Sequence, residues 1–336
     1  MNAVVMNGNG ADQKPLEQVP IRTLRGAGLV RALNFILRLN RKWHPLLSCL
    51  NNSRDLVRIP FAGAELVHPA AWRKELTAYL LAGENTVPEF KLMCRLFQDL
   101  PPGTVVDVGA NMGLYALLIR SVTSAPIVAF EPVPFLFDLM RRNILHNQLK
   151  LIDARQQACG AKAGEIQLAA HMNACIVPPS QESTDSHGSG VFNEDAKAAR
   201  SEARLASASL VTLDEAMGGR AVSLVKIDCE GYELEVLRGA KNILNRDRPR
   251  LFIEVHPALL GSYQSSVEEL LDFLSPKYEM EFWDFEQARH VSKFVRSWRK
   301  HRPNFGLNLP HREAFIAACK TPPLPAQLYL VAVPCA

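Results

Sequence analysis

The chain has almost no excess of charge. Its 38 Lys and Arg stand against 34 Asp and Glu, a formal net charge of +4 over 336 residues. So weak a field does not argue for nucleic acid as a partner. Seven cysteines are scattered along the sequence, with no C-x-x-C and no Cys/His cluster at zinc spacing. Neither a disulfide framework nor a structural metal is expected, and the thiols read as reduced, in a reducing compartment. No apolar run of about 18 residues occurs, so no transmembrane segment is predicted. The opening MNAVVMNGNG lacks a basic stretch followed by an apolar one, which speaks against a signal peptide and for a cytoplasmic protein. There is no internal repeat, and no G-x-G-x-x-G of the kind that admits a dinucleotide pyrophosphate.

What is present suffices for a large core: 48% of residues are hydrophobic and 21% charged. The length fits one large domain with extensions, or two domains. Residues 1–20 read as a disordered tail and 21–84 as an N-terminal helical extension and lead-in, ahead of a main domain over 85–336. Within 21–48, Leu29, Val30, Leu33, Ile36 and Leu37 share a helical face opposite Arg31, Asn34, Arg38, Arg41 and Lys42. Docking on the chain's own domain or on a second subunit, as a homodimer, is the favoured reading, because Phe35 and Leu39 blur the polar face. A basic helix lying on an anionic membrane surface is the alternative.

Residues 56–84 hold the strand-like runs LVRIPFAG and AELVHP and then a helix over 71–81, followed by a second helix over 87–100. After the Pro101-Pro102-Gly103 turn, strands and helices alternate. Strands are predicted at 104–108, 127–130, 151–156, 165–170, 208–213, 222–228, 250–255, 278–283 and 327–333. Helices are predicted at 112–122, 134–147, 232–244 and 267–274, with a helical turn at 214–217. This alternation implies an α/β fold with right-handed βαβ units around a parallel sheet. Two stretches interrupt it, an insertion at 171–205 and an excursion at 285–325.

The stretch VVDVGANMGL, residues 105–114, is a buried strand ending in a glycine turn and a helix. Gly109 and Gly113 allow sharp turning and close approach of a ligand, with Asn111 in the middle position and Asp107 at the strand end. An acid beside the loop disfavours a pyrophosphate and welcomes a cationic or amino-bearing ligand. Glu131 ends the next strand, about 20 residues beyond the loop, where a carboxylate can accept bonds from two ribose hydroxyls.

A second group lies in LVKIDCEGYELEVLRG and IEVHP. Lys226 and Asp228 share a strand face by the period of two, and a buried lysine needs a partner, for instance Glu254 on the following strand. Open α/β sheets place ligands beyond the carboxyl ends of their strands, which is where Asp228, Glu230 and His256 fall. His256 there can take a proton from a hydroxyl near neutral pH. The three could also hold a hard divalent cation, though nothing in their spacing demands one, and no metal is predicted.

With these residues assembled, the chain resembles the FkbM family of S-adenosylmethionine-dependent methyltransferases. The resemblance rests on VVDVGANMGLYALL, VAFEPVP, QQACG with AGEIQL, VTLDEA, LVKIDCEGYELEVLRGA and LFIEVHP, in that order over 104–257. GENTVPEF ahead of them and LYLVAVP near the end are similar too. The resemblance implies a class I methyltransferase (Rossmann-like) fold of seven strands, mostly parallel, with the last one antiparallel between the fifth and sixth. It implies S-adenosyl-L-methionine as cofactor and O-methylation of a sugar, glycan or secondary metabolite. Asp107, Gly109, Asn111 and Gly113, with Ala110 beside them, would line the methionine part. Glu131, with Pro132 beside it, would take the ribose, and Gln156 and Ala158 would lie near the adenine. A non-catalytic binding or sensor module is the runner-up, and a nicotinamide-dependent dehydrogenase stands behind it.

In such a reaction Asp228 or His256 is the expected base, with Lys226 and Glu230 as positioning or electrostatic partners. KFVRSWRKHR, residues 293–302, reads first as a solvated basic face and alternatively as a grip on an anionic acceptor.

Overall fold

The computed structural model describes residues 21–23, 56–70, 72, 76, 79–80, 83–87, 89–170, 175–176, 204–285, 307–321 and 327–335. The tail before residue 21, the basic 293–302 segment and most of the insertion at 171–205 lie outside these residues. So does the amphipathic segment at 29–42, with the homodimer contact expected of it.

Strand β1 (Ile21–Thr23) runs parallel to β2 (Leu56–Phe61), which forms an antiparallel hairpin with β3 (Ala64–Pro69). The helical extension expected from residue 21 therefore begins with a strand. Ile21 and Thr23 are β-branched and suit one, and the helical periodicity starts only at Leu29. The hairpin turns through Ala62 and Gly63, both at positive φ (49° and 77°), as a two-residue loop that follows strand twist requires. Its outer edge is closed by asparagines of the helix Pro134–His146 and its C-cap. Asn143 accepts the Val67 N–H at 2.7 Å and donates to the Val67 carbonyl at 3.1 Å. Asn147 does the same for Glu65, at 2.8 and 2.7 Å. Two side-chain amides thus stand in for a missing neighbour strand.

The central sheet collects β4 (Thr104–Val108), β5 (Ile127–Phe130) and β6 (Ile152–Arg155) in parallel. A second sheet follows in the chain: β7 (Ala158–Cys159), β8 (Gly164–Ala170), β9 (Cys175–Ile176) and β10 (Arg204–Val211), in the order β7-β10-β8-β9. β8 and β10 pair antiparallel from Gly164↔Leu210 to Ala170↔Arg204, so the insertion grows from the far end of a β-ribbon. β11 (Val222–Ile227), β12 (Arg250–Val255), β13 (Tyr278–Asp284), β14 (Leu307–Leu309) and β15 (Leu328–Pro334) return to the central sheet. Its eight strands run in the order β14-β13-β15-β12-β11-β4-β5-β6. β15 is antiparallel to both β12 and β13. The last strand therefore sits between the fifth and sixth of the seven expected. β14, from the 285–325 excursion, adds an edge strand, and the helix Arg312–Lys320 follows it.

β4, β5 and β11 are buried along their whole lengths, because helices cover both faces of a parallel sheet. The Leu114–Val122 helix buries Tyr115, Ala116, Leu117, Leu118 and Ile119. The single helix expected over 232–244 is two, Glu233–Arg238 and Lys241–Arg246. The break falls at Gly239, where a Cβ would lie 2.0 Å from the Gly160 carbonyl oxygen. The Asp214 carboxylate accepts the N–H groups of Asn242 and Ile243, each at 2.9 Å, and so starts the second helix afresh.

Candidate active site

The strand order brings the carboxyl ends of β4, β5, β11 and β12 to one rim, and the polar residues of the sheet gather there. Gly109 and Ala110 donate their N–H groups to the Phe130 carbonyl at 3.0 and 2.9 Å, which ties the loop after β4 to the tip of β5. Gly109 (φ 75°) lies against β11, where a Cβ would stand 1.8 Å from the Asp228 carbonyl oxygen. No other residue fits. Asn111 is left-handed as well (φ 51°), and its Oδ1 accepts the Met112 N–H at 2.7 Å. That local bond is the reason asparagine tolerates the conformation.

Glu131 joins this loop to its own strand end. One carboxylate oxygen accepts the Asn111 N–H at 2.8 Å and the other the Val133 N–H at 2.9 Å. Each oxygen keeps a further lone pair for a ligand hydroxyl. Burial pushes the carboxyl up to about 7 against the pull of those two bonds. Pro132 is half-buried beside it. Gln156 is exposed and Ala158 is buried in β7. Both follow Arg155, whose carbonyl accepts the Glu131 N–H at 3.0 Å.

Asp107 plays a different part from the open acid expected beside the loop. It is wholly buried and lies beside Lys226 across the β4–β11 pairing, with Oδ1 3.0 Å from Nζ. Lys226 also donates to the Gly109 carbonyl at 2.9 Å, and its Nζ lies 3.6 Å from Asp228 and 4.7 Å from the ring centre of Tyr115. The partner suggested for Lys226, Glu254, is engaged elsewhere, accepting the Tyr329 hydroxyl at 2.6 Å. The register decides this: Lys226 stands opposite Asp107 on one side and Phe252 on the other. Burial raises Asp107, and the lysine charge pulls it back. Burial likewise opposes the charge on Lys226, but Asp107 and Asp228 outweigh it and hold the ammonium protonated.

Next to this pair lies a denser cluster. His256, at the end of β12, donates from Nδ1 to Glu233 at 2.7 Å. The same Glu233 oxygen accepts the Gly231 N–H at 2.9 Å. Nε2 of His256 faces Glu230 at 3.6 Å and Asp228 at 3.8 Å. Glu233 is fully buried, while the side chains of His256, Glu230 and Asp228 are 13%, 23% and 28% exposed. Burial opposes the charged imidazole, but the Glu233 hydrogen bond and the surrounding carboxylates raise it well above the usual histidine range. Burial pushes Glu230 up to about 7, with His256 pulling the other way. Burial also holds the Cys229 thiol well above its ordinary value, which removes it as a nucleophile.

Of the catalytic candidates, Asp228, Glu230, His256 and Lys226 are all brought together. Three residues of the site were not foreseen: Glu233, Tyr115 and Tyr329. Glu233 lies inside LVKIDCEGYELEVLRG, but at the start of a helix an acid reads as a dipole partner. Tyr115 lies over Lys226 and donates to Glu89 at 3.3 Å, in the GENTVPEF lead-in. Only the tertiary contact shows either role.

A sheet with its last strand reversed between the fifth and sixth, and a glycine turn joined to an acid at the second strand tip, defines a class I methyltransferase fold. The FkbM methyltransferase domain matches residues 107–286, more than half of the chain, and the chain belongs to that family. S-adenosylmethionine is the cofactor of this family. The residues present fit it: a loop held open by left-handed backbone and a buried Glu131 with oxygen lone pairs to spare. "Methyltransferase sdnD" of Sordaria araneosa is 31% identical over 165 residues, covering 44% of this chain and 64% of its own. "Methyltransferase 1" of Beauveria bassiana is 27% identical over 142 residues, 40% of this chain and 57% of its own. The chain thus spans less than two thirds of either relative. The crystal structure of methyltransferase FkbM from Methylobacillus flagellatus is 16% identical, with TM-score 0.37, over 77% of this chain and 54% of its own. Among the described residues no helix is long and apolar enough to cross a membrane.

Proposed function

We propose that the protein is an O-methyltransferase that uses S-adenosylmethionine to methylate a hydroxyl of a sugar, glycan or secondary metabolite. The observation that carries this reading is the cluster of Asp228, Glu230 and His256 on the rim beside the cofactor loop, with β11 and β4 in direct register. S-adenosylmethionine supplies a methyl group already activated on a sulfonium sulfur. The chain must therefore orient an acceptor oxygen, exclude water and receive a proton. Asp228, the most open side chain of the cluster, receives the hydroxyl proton. His256, fixed by Glu233, and Glu230 position the acceptor oxygen. Lys226 is locked between Asp107 and Asp228 and fixes the angle of the latter. Gly109, Ala110, Asn111 and Gly113 hold the amino acid end of the cofactor, with Asp107 buried behind the loop on Lys226; Glu131 with Pro132 takes the ribose, and Gln156 and Ala158 border the base. The carboxylates on this rim suit a cationic cofactor and oppose a pyrophosphate.

The test is incubation of the purified chain with methyl-labelled S-adenosylmethionine and a panel of hydroxylated acceptors, glycosidic and aliphatic, neutral and anionic. Label on an acceptor oxygen, with S-adenosylhomocysteine released, is the expected result. Binding of S-adenosylhomocysteine with no transfer to any hydroxyl would leave a binding module. Binding of NADH in its place would leave a dehydrogenase.

A further inference from the structure

The mutual geometry of Asp228, Glu230 and His256 has no hydrogen bond to explain it. The separations from His256 Nε2, 3.6 Å to Glu230 Oε2 and 3.8 Å to Asp228 Oδ1, are too long for one. One ligand atom from each of the three lies within 4.8 Å of the other two. Two donors bound to the same ion at about 2.1 Å stand about 3–4 Å apart, according to the angle between them. The two separations from Nε2 fall in that range.

The imidazole is also built for such a role. Its Nδ1–H is given to Glu233, a fully buried carboxylate that takes the Gly231 N–H as well. That bond sets the ring plane and leaves Nε2 as the nitrogen turned toward the two carboxylates, where a cation would take the place of its proton. The second oxygen of Glu233 is buried without a hydrogen-bond partner. The neighbouring charges agree. Among the described residues, Asp107, Asp228, Glu230 and Glu233 gather around two basic groups, Lys226 and His256.

We propose that Asp228, Glu230 and Nε2 of His256 bind one divalent cation of the magnesium and manganese class, with Glu233 as the carboxylate behind the histidine. Two carboxylates and one imidazole make a hard, oxygen-rich set, and three protein donors leave positions for water and an acceptor oxygen. The cation would occupy the space between the side chains and offset their excess negative charge. What it would do there rests on the methyl-transfer reading: it would hold the acceptor oxygen and make its proton easier to remove. Its binding does not rest on that reading.

The experiment is a titration of the full chain, freed of metal by chelation, with Mn²⁺ alone, followed by electron paramagnetic resonance. One Mn²⁺ per chain, displaced by excess Mg²⁺, is expected. His256→Ala and Glu230→Gln are each expected to weaken it at least tenfold, with S-adenosylhomocysteine affinity serving as the check that each variant folds. Should a variant fail that check, Glu233→Gln takes its place, with a smaller loss expected. No stoichiometric Mn²⁺ at millimolar concentration, or affinity unchanged in every folded variant, overturns the proposal. Full methyl transfer after exhaustive chelation overturns the role given to the cation in the reaction and leaves both its binding and the methyltransferase reading standing. Site-dependent Mn²⁺ binding in a chain that transfers no methyl to any hydroxyl would sink the methyltransferase reading and keep the cation site.

Discussion

Two halves of one rim are built on opposite plans. At the ends of β4 and β5, each acid has a close local partner. Glu131 takes two backbone N–H groups, and Asp107 is matched by Lys226 in the neighbouring register position. At the ends of β11 and β12, Asp228, Glu230 and Glu233 converge on His256, which meets them with one hydrogen bond and two longer contacts. The first half is a finished cradle whose polar groups hold backbone in place. The second is crowded with like charges and holds them ready for something not part of the chain. On the proposed assignment, the half that would bind the cofactor meets its charges with close partners, and the half that would do chemistry keeps them poised.

Breaking the seam between the halves has the largest expected effect. Gly109→Val places a side chain where the Asp228 carbonyl already stands, 1.8 Å from the position of a Cβ. It should abolish S-adenosylhomocysteine binding, by a factor of at least about 100, or prevent soluble expression; binding within a few-fold of the parent would contradict the close approach described.

Removing one partner of the buried pair comes next. Lys226→Met leaves Asp107 buried and unmatched, and unfolding by urea should show a loss of about 3–5 kcal/mol. A loss under about 1 kcal/mol would mean that Asp107 is no longer charged there.

The active half is separated from the cradle by Asp228→Asn. Methyl transfer should fall about 10²–10⁴-fold, while calorimetry finds S-adenosylhomocysteine affinity within about threefold of the parent. If affinity fell as far as turnover did, Asp228 would belong to the cradle. Glu233→Gln should lower kcat about 10–100-fold with little change in the KM for S-adenosylmethionine, the range seen when the support of a working histidine is changed.

The smallest effect is one of pH on the cradle. Glu131 is raised from 4.5 to about 7. Between those values the folded state holds a proton that the unfolded state has lost, so this group's contribution to stability declines as pH rises through that window. Cofactor hydroxyls donate best to the ionised form, so S-adenosylhomocysteine should bind about tenfold more tightly at pH 8 than at pH 6, the change in ionised fraction around a pKa of 7. Glu131→Gln should bind more weakly at both values and lose the slope; a slope that survives would place the titrating group elsewhere.

Most of the cradle was legible in the sequence because its parts are local. A buried strand, two glycines with an asparagine between them and an acid at the next strand tip follow from residue type and spacing over about 25 positions. The reversed last strand was legible only through resemblance, since no local pattern of LYLVAVP distinguishes a parallel from an antiparallel strand. The first strand, β1, was missed because three residues are too few for a period to show. The break at Gly239 was missed because the Asp214 carboxylate that starts the second helix lies 28 positions from Asn242 in the chain.

The sequence alone determined the class of fold, the cofactor loop and which acids stand at strand ends, because alternation and glycine spacing act over a turn or a strand. Only the tertiary structure decided which charges meet. By sequence Lys226 had Glu254 as its suggested partner; parallel register instead set it opposite Asp107, and Tyr329 on the inserted strand took Glu254. His256 looked like a lone imidazole until the start of the helix after β11 placed Glu233 behind it. Ionic contacts depend on separations of a few ångströms between residues far apart in the chain, and chain packing alone sets those.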